Sequence, residues 1–127
     1  MPFGLKSALT AHEVNQYWDA YFAAVDALIA TLGKLEQLEK EATDLGDRSG
    51  YRADRLRVEA DIELMRAKRL AFNANRSPIN PPSQLVVDEM MKLFVDVANL
   101  AATRAQASAI VNIAVKATGE FSKIQSQ

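Results

Sequence analysis

The chain has no cysteine and a single histidine, His12. Without thiols there is no disulfide framework, zinc ribbon, iron–sulfur cluster or cysteine nucleophile. A lone imidazole has no second histidine to share a metal with. His12 also falls inside Thr10-Ala11-His12-Glu13, which reads as a helix cap rather than a catalytic group. Glycine and proline are scarce, 5 and 4 in 127 residues, so the composition is that of a packed globular chain. Charge of one sign is lacking too. The 15 Lys+Arg and 16 Asp+Glu leave a net charge of -1, which is not the basic balance of a nucleic-acid-binding domain. The sequence opens Met1-Pro2-Phe3-Gly4-Leu5-Lys6-Ser7, without the basic start and apolar run of a secretory leader. Together with the missing cysteines, this leads to an expected cytoplasmic location. No long run is both uncharged and strongly apolar. The nearest, Val95 to Val115, is interrupted by Asp96, Asn99, Arg104, Gln106 and Asn112, which a lone membrane span would have to desolvate.

What is present reads as helix throughout a single domain, residues 1–127. Hydrophobic residues make up 49%, and their spacing is helical. Helix 1 is expected over about residues 10–45. It starts at a Thr10/Glu13 capping box with Leu9 and Val14 placed as a hydrophobic staple. Val14, Trp18, Tyr21, Val25, Leu28, Leu32 and Leu35 then recur in steps of four and three. Two successive steps of three near Gly33 predict a bend or a change of packing partner, and Gly46 is placed as the left-handed C-cap. The run Gly46-Asp47-Arg48-Ser49-Gly50 reads as a break. Helix 2 is expected over about 51–75 with Ser49 as N-cap, its core face led by Leu56, Ala60, Leu64, Ala67 and Leu70 and widened by Val58, Ile62, Met65 and Phe72. The segment Ser77-Pro78-Ile79-Asn80-Pro81-Pro82-Ser83 stops it. Helix 3 is expected over about 84–124, capped by Asn80 or Ser83, with Asp88 and Glu89 near the positive end of its dipole.

The predicted fold is thus all-α: three long helices in an up-down-up antiparallel, coiled-coil-like bundle, with helix 1 or helix 3 bent or broken into extra helices. The lengths do not match. At 1.5 Å per residue the helices measure about 54, 38 and 60 Å, so the short middle helix cannot cover both neighbours. Two solutions stand level. In one, an apolar end of helix 3 is covered by another protein or a second copy. In the other, helix 3 breaks near Thr103–Ser108 or Gly119 and folds back as a fourth helix. The residues at stake are Ile110, Ile113, Ala117, Phe121 and Ile124, with Tyr17, Trp18 and Tyr21 at the start of helix 1 as further apolar contacts for a partner or oligomer.

The polar residues offer little chemistry. No phosphate-binding glycine loop or nucleophile elbow occurs. Glu59 and Glu63 are a like-charged pair that Arg55 and Arg66 are spaced to offset. Neither the Glu-x-x-His of a di-metal bundle nor any other metal or cofactor set is present. The sharpest polar signal is segregation of charge. Residues 1–46 hold three Lys/Arg against seven Asp/Glu, residues 47–76 eight against five, and the remainder four against four. Arg48, Arg52, Arg55, Arg66, Arg69 and Arg76 keep heptad phase and form a stripe along helix 2. The first reading of the stripe is a solvated outer face, partly neutralised by Asp54, Glu59, Asp61 and Glu63, and the second is a dock for an acidic protein surface. Phosphate binding is the minor reading.

The expected function is therefore non-enzymatic: a helical protein–protein interaction module, such as an adaptor, an inhibitor or immunity-type protein, or an assembly subunit. It would use the arginine stripe and the apolar C-terminal helix to bind another protein, itself, or both. The alternatives are a membrane-active protein inserting its Ala/Val/Ile-rich third helix and, below that, nucleic-acid binding through helix 2.

Overall fold

The structure, a computed structural model, describes residues 4–126. The fold is all-α, with four main helices among the described residues: α1 (Ala11–Glu41), α2 (Leu45–Asn73), α3 (Gln84–Ala98) and α4 (Ala107–Ile124). The capping box forms as the sequence implies. The Glu13 backbone N–H donates to Thr10 Oγ1, and the Thr10 N–H donates to the Glu13 carboxylate. From there α1 runs without interruption through Gly33.

The first correction concerns the loop after α1. The break is at Ala42 to Asp44, not at Gly46 to Gly50, and helix 2 starts at Leu45 rather than about 51. Asp44, not Ser49, is the N-cap, with Oδ1 accepting from the N–H groups of Gly46 and Asp47 at 2.6 and 3.4 Å. Two glycines in a first turn and a half cost about 1 kcal/mol each. A carboxylate cap with Asp47 beside it, at the positive end of the dipole, offsets much of that. Gly46 has no positive φ, so it is no left-handed cap. Among the described residues the left-handed one is Asn75 (φ 57°). The Asn75 N–H reaches Phe72 O and the Arg76 N–H reaches Ala71 O, the paired bonds of a Schellman ending.

The second correction concerns helix 3. It is two helices, α3 and α4, separated by residues 99–106 and a short 3-10 turn at Arg104–Gln106. The fold-back accounts for the length mismatch. At 1.5 Å per residue α3 and α4 measure about 22 and 27 Å, and they lie as a hairpin along α1, which measures about 46 Å. Ser83 caps α3 by accepting from the Val86 N–H; Asp88 and Glu89 lie beyond its first turn. The segment Val95 to Val115 is therefore no single helix, and no helix among the described residues is long and apolar enough to cross a membrane.

Helix α1 is the hub and packs against all three others. This is possible because Ala20, Ala24 and Ala27 are fully buried: small side chains let neighbouring backbones approach from several sides. A third correction follows on α2. Its buried face is Val58, Ile62, Met65 and Phe72, while Leu56, Leu64 and Leu70 stay about half exposed. Helix α2 is apolar on two opposite sides, and the side carrying Phe72 is the one buried against α1.

The two sides of the bundle are joined at one pole. Tyr17 stacks on Phe72 with ring centroids 3.8 Å apart and meets Phe121 edge-on at 5.7 Å. Its hydroxyl donates to Gln125 Oε1 at 2.6 Å. Gln125 in turn donates to Lys68 O and Ser77 Oγ, and Lys68 Nζ donates to Gln125 O. Across the same pole the backbones of Gly4 and Ile79 exchange two hydrogen bonds, and the Asn80 N–H donates to Ile124 O.

Burial raises the Tyr17 hydroxyl pKa well above its ordinary value of 10.0, with Tyr21 adding to the effect, and burial also raises Tyr21. A raised tyrosine pKa means that the folded chain keeps its proton where the unfolded chain loses it. That stabilisation is complete below pH 10 and is lost as pH climbs above it. A denaturant midpoint that falls steeply above about pH 10 is expected, and the fall should be shallower in Tyr17→Phe. A midpoint that stays flat in the parent chain to pH 12 would contradict the assignment.

Candidate functional site

The residues singled out for a partner form two groups. The apolar C-terminal set is inside the chain. Ile110, Ile113, Ala117, Phe121 and Ile124 are all buried, as are Tyr17 and Tyr21, and Trp18 is partly buried. The fold-back of α4 presses this stripe onto α1, so the surface that an unbroken helix 3 would have left uncovered does not exist. Seven of these eight residues are core, and Trp18 packs against that core while still lining a surface depression.

The arginine stripe is divided. Arg52 and Arg55 both donate to the Glu39 carboxylate of α1, at 3.1 and 2.5 Å, and Arg55 also reaches Glu59. This pair clamps the start of α2 to the end of α1. Arg48 donates to Ala42 O, closing the loop between the two helices. Arg66 pairs with Glu63 on its own helix. Arg69 is half-buried beside Tyr17 and Tyr21, and Arg76 lies past the end of α2. Of the ion-paired members, Arg52 and Arg66 are the more exposed, at 62% and 60% of their side chains. The stripe therefore does mainly structural work at its first half. The Glu39 pKa is held below its ordinary value of 4.5, chiefly by the hydrogen bonds from Arg55 and then Arg52. A lowered carboxylate pKa adds stability above pH 4.5 that is lost as pH falls through the folded value. Glu39→Gln should lower the thermal midpoint at pH 7 and flatten its dependence on pH between 5 and 3. An unchanged acid limb would show that the clamp contributes nothing.

Residues that sequence reasoning did not select form the most developed surface. A groove of about 790 Å³ runs between α1 and α3. Its floor and walls are apolar: Phe22 and Ala23 from α1; Val87, Met91, Phe94 and Val95 from α3. Phe22, Met91 and Val95 are each more than half exposed. Its rim carries Asp19, Asp26 and Asp88 against one cation, Lys92. Asp19, Phe22 and Asp26 follow three- and four-residue steps on α1, as Gln84, Val87, Asp88, Met91 and Val95 do on α3, so each helix presents one continuous edge. Ile29, seven residues beyond Phe22 and also exposed, prolongs the α1 edge. The signal was present in the sequence as a second apolar flank on each helix. It was masked because the core stripe lies right beside it.

A second depression, between α1 and α2, is lined by Glu36, Glu39, Lys40, Arg48, Arg55 and Glu59. Glu39, Arg55 and Glu59 are already paired with one another there, and Arg48 donates to Ala42 O. Among the described residues no group of three or more His, Cys, Asp or Glu is placed to hold a metal ion. His12 is exposed on the first turn of α1. Compared with protein-family models, with curated proteins and with solved structures, the chain matches none.

Proposed function

We propose that the chain is a non-enzymatic helix-binding module, an adaptor or inhibitor type of protein, whose α1–α3 groove receives an amphipathic helix with a basic flank. The observation that carries this reading is the groove itself. Apolar edges of α1 and α3 line it from both sides, the kind of ridges between which a third helix packs. Monomeric proteins seldom leave such a contiguous apolar surface in water without use. The three aspartates on its rim, opposed by one lysine, select the sign of the partner. They speed encounter and disfavour acidic helices more than they add affinity.

A synthetic leucine–lysine amphipathic helix, titrated against the full chain by isothermal calorimetry, tests this. Binding in the micromolar range is expected. It should weaken about tenfold or more in Phe94→Asp, which buries a charge at the centre of the contact. It should also weaken with added salt and in Asp19→Lys/Asp88→Lys. Equal binding of a leucine–glutamate helix, or binding indifferent to Phe94→Asp, would sink the proposal.

A further inference from the structure

Among the described residues, the outer side of α2 carries an apolar face that neither the core nor the groove uses. Leu56, Leu64 and Leu70 are 51%, 50% and 59% exposed, on the side opposite Val58, Ile62, Met65 and Phe72. Leu56, Glu63 and Leu70 are spaced by sevens, and Ala53, Ala60 and Ala67 form a second line beside them, also exposed. These are the two lines of a coiled-coil seam. The charges bordering the seam are Arg52, Glu59 and Arg66 on one edge and Arg57 on the other.

We infer that this face is covered by the same face of a second copy, the two α2 helices crossing antiparallel about a two-fold axis. The argument is complementarity of size and charge in a single register. When Leu56 is set against Ala67 of the second copy, Leu70 falls against Ala53 and Glu63 against Ala60, and by symmetry each contact occurs twice. Every large residue on the seam line then meets a small one, so the helices approach closely without collision. The same register sets Glu59 opposite Arg66 of the second copy, again twice. Both side chains reach the surface, with 43% and 60% exposure, and each would add this contact to the pair it already makes within its own chain, Glu59 with Arg55 and Arg66 with Glu63. On the other edge Arg57 meets Leu64, whose apolar surface its methylene stem can cover. The parallel alternative matches Leu56 with Leu56 and Ala60 with Ala60, and it leaves gaps at each alanine layer. Glu63, at the middle of the seam, already reaches Arg66 at 2.5 Å. A lone polar residue in such a seam fixes register. A two-fold interface of this kind closes on itself and stops at the dimer.

Sedimentation equilibrium of the full chain over rising concentration is the test, with circular dichroism confirming that each variant keeps its helicity. The chain should pass from monomer to dimer. Leu56→Asp should abolish the dimer at concentrations where the parent chain is dimeric. Glu59→Arg and Arg66→Glu should each raise the dissociation constant about tenfold, since each breaks two pairs and creates two repulsions. The double variant, Glu59→Arg with Arg66→Glu, should return it to within about threefold of the parent. A strict monomer, or a double variant no better than the singles, overturns the inference. So does a dimer that persists in Leu56→Asp but dissolves in Phe94→Asp, because that result would seat the second copy in the α1–α3 groove.

Discussion

Phe72→Ala is expected to lower the free energy of unfolding by about 3–5 kcal/mol, the range for removing a fully buried aromatic side chain. Phe72 is completely shielded from solvent. It stacks on Tyr17, meets Trp18 edge-on at 5.6 Å, and has Lys6 Nζ 5.8 Å above its ring. It is also the last large core residue of α2 before the Schellman ending. The truncation therefore opens a cavity where α1, α2 and the segment around Lys6 converge. Relaxation there is limited because Tyr17 is held from its other side by Phe121 and Gln125. Against a typical total of about 5–15 kcal/mol, such a loss leaves the chain near its unfolding threshold at 37 °C. The thermal midpoint should fall by roughly 10–20 °C. A fall of under about 3 °C would mean that the pole repacks freely and that the aromatic cluster is not the joint between the two sides of the bundle. Leu70→Ala, two residues away but outward-facing, should change the midpoint of the monomer far less.

Gln125→Ala is expected to cost about 2–4 kcal/mol, unusual for a residue just after the last helix. The side chain is fully buried and acts as a polar plug. It accepts from Tyr17 and donates to Lys68 O and Ser77 Oγ, at 2.6, 2.8 and 3.0 Å. Alanine leaves the Tyr17 hydroxyl without that acceptor in a place water does not reach, and buried unmet donors cost about 1–3 kcal/mol each. Cavity formation adds to it. Tyr17→Phe removes the donor together with its need, so its cost should be smaller, near 1 kcal/mol. In the Gln125→Ala background, Tyr17→Phe should then cost nothing or restore stability. Additive losses in the double variant, measured by urea titration, would contradict the coupling. The neighbouring Lys68 adds a signature of its own. Burial lowers its pKa below 10.5. As pH rises through the folded value, the unfolded chain binds the extra proton, so this residue raises stability with pH, opposite in sign to the tyrosines.

Much of the helical content was legible in the sequence, and the reasons are local. The Thr10/Glu13 box, the proline-rich stop at Pro78 to Pro82 and the three-and-four spacing of α1 act within one or two turns, where sequence and structure are closest. The misreadings arose where a local preference competes with a distant contact. Gly46, Ser49 and Gly50 are poor helix formers, yet Asp44 caps the turn, and the Arg55 and Arg52 bonds to Glu39 hold it against α1. Residues 99–106 contain neither proline nor glycine. The chain turns there because folding α4 back onto α1 buries Ile110, Phe121 and Ile124, a gain no short window of sequence displays. The choice between the two faces of α2 is of the same kind. Leu56, Leu64 and Leu70 are as apolar as Val58, Ile62 and Met65, and Phe72 decides by matching Tyr17, some fifty residues earlier. The α1–α3 groove went unread for a related reason: its residues border a core stripe and look like its margin.

The proline-rich segment has one more consequence. Ile79 holds Gly4 and the adjacent Asn80 holds Ile124, so one short segment from the middle of the sequence gathers Gly4 and the end of α4. A short peptide joining Gly4 to Gln125 should therefore fit without disturbing any helix, and the exposed stretch from Thr103 to Ala105 between α3 and α4 is where the circle would be reopened. A chain permuted in this way would place α4 before α1. In this fold the order of the helices along the sequence matters less than the knot of backbone bonds that gathers their ends.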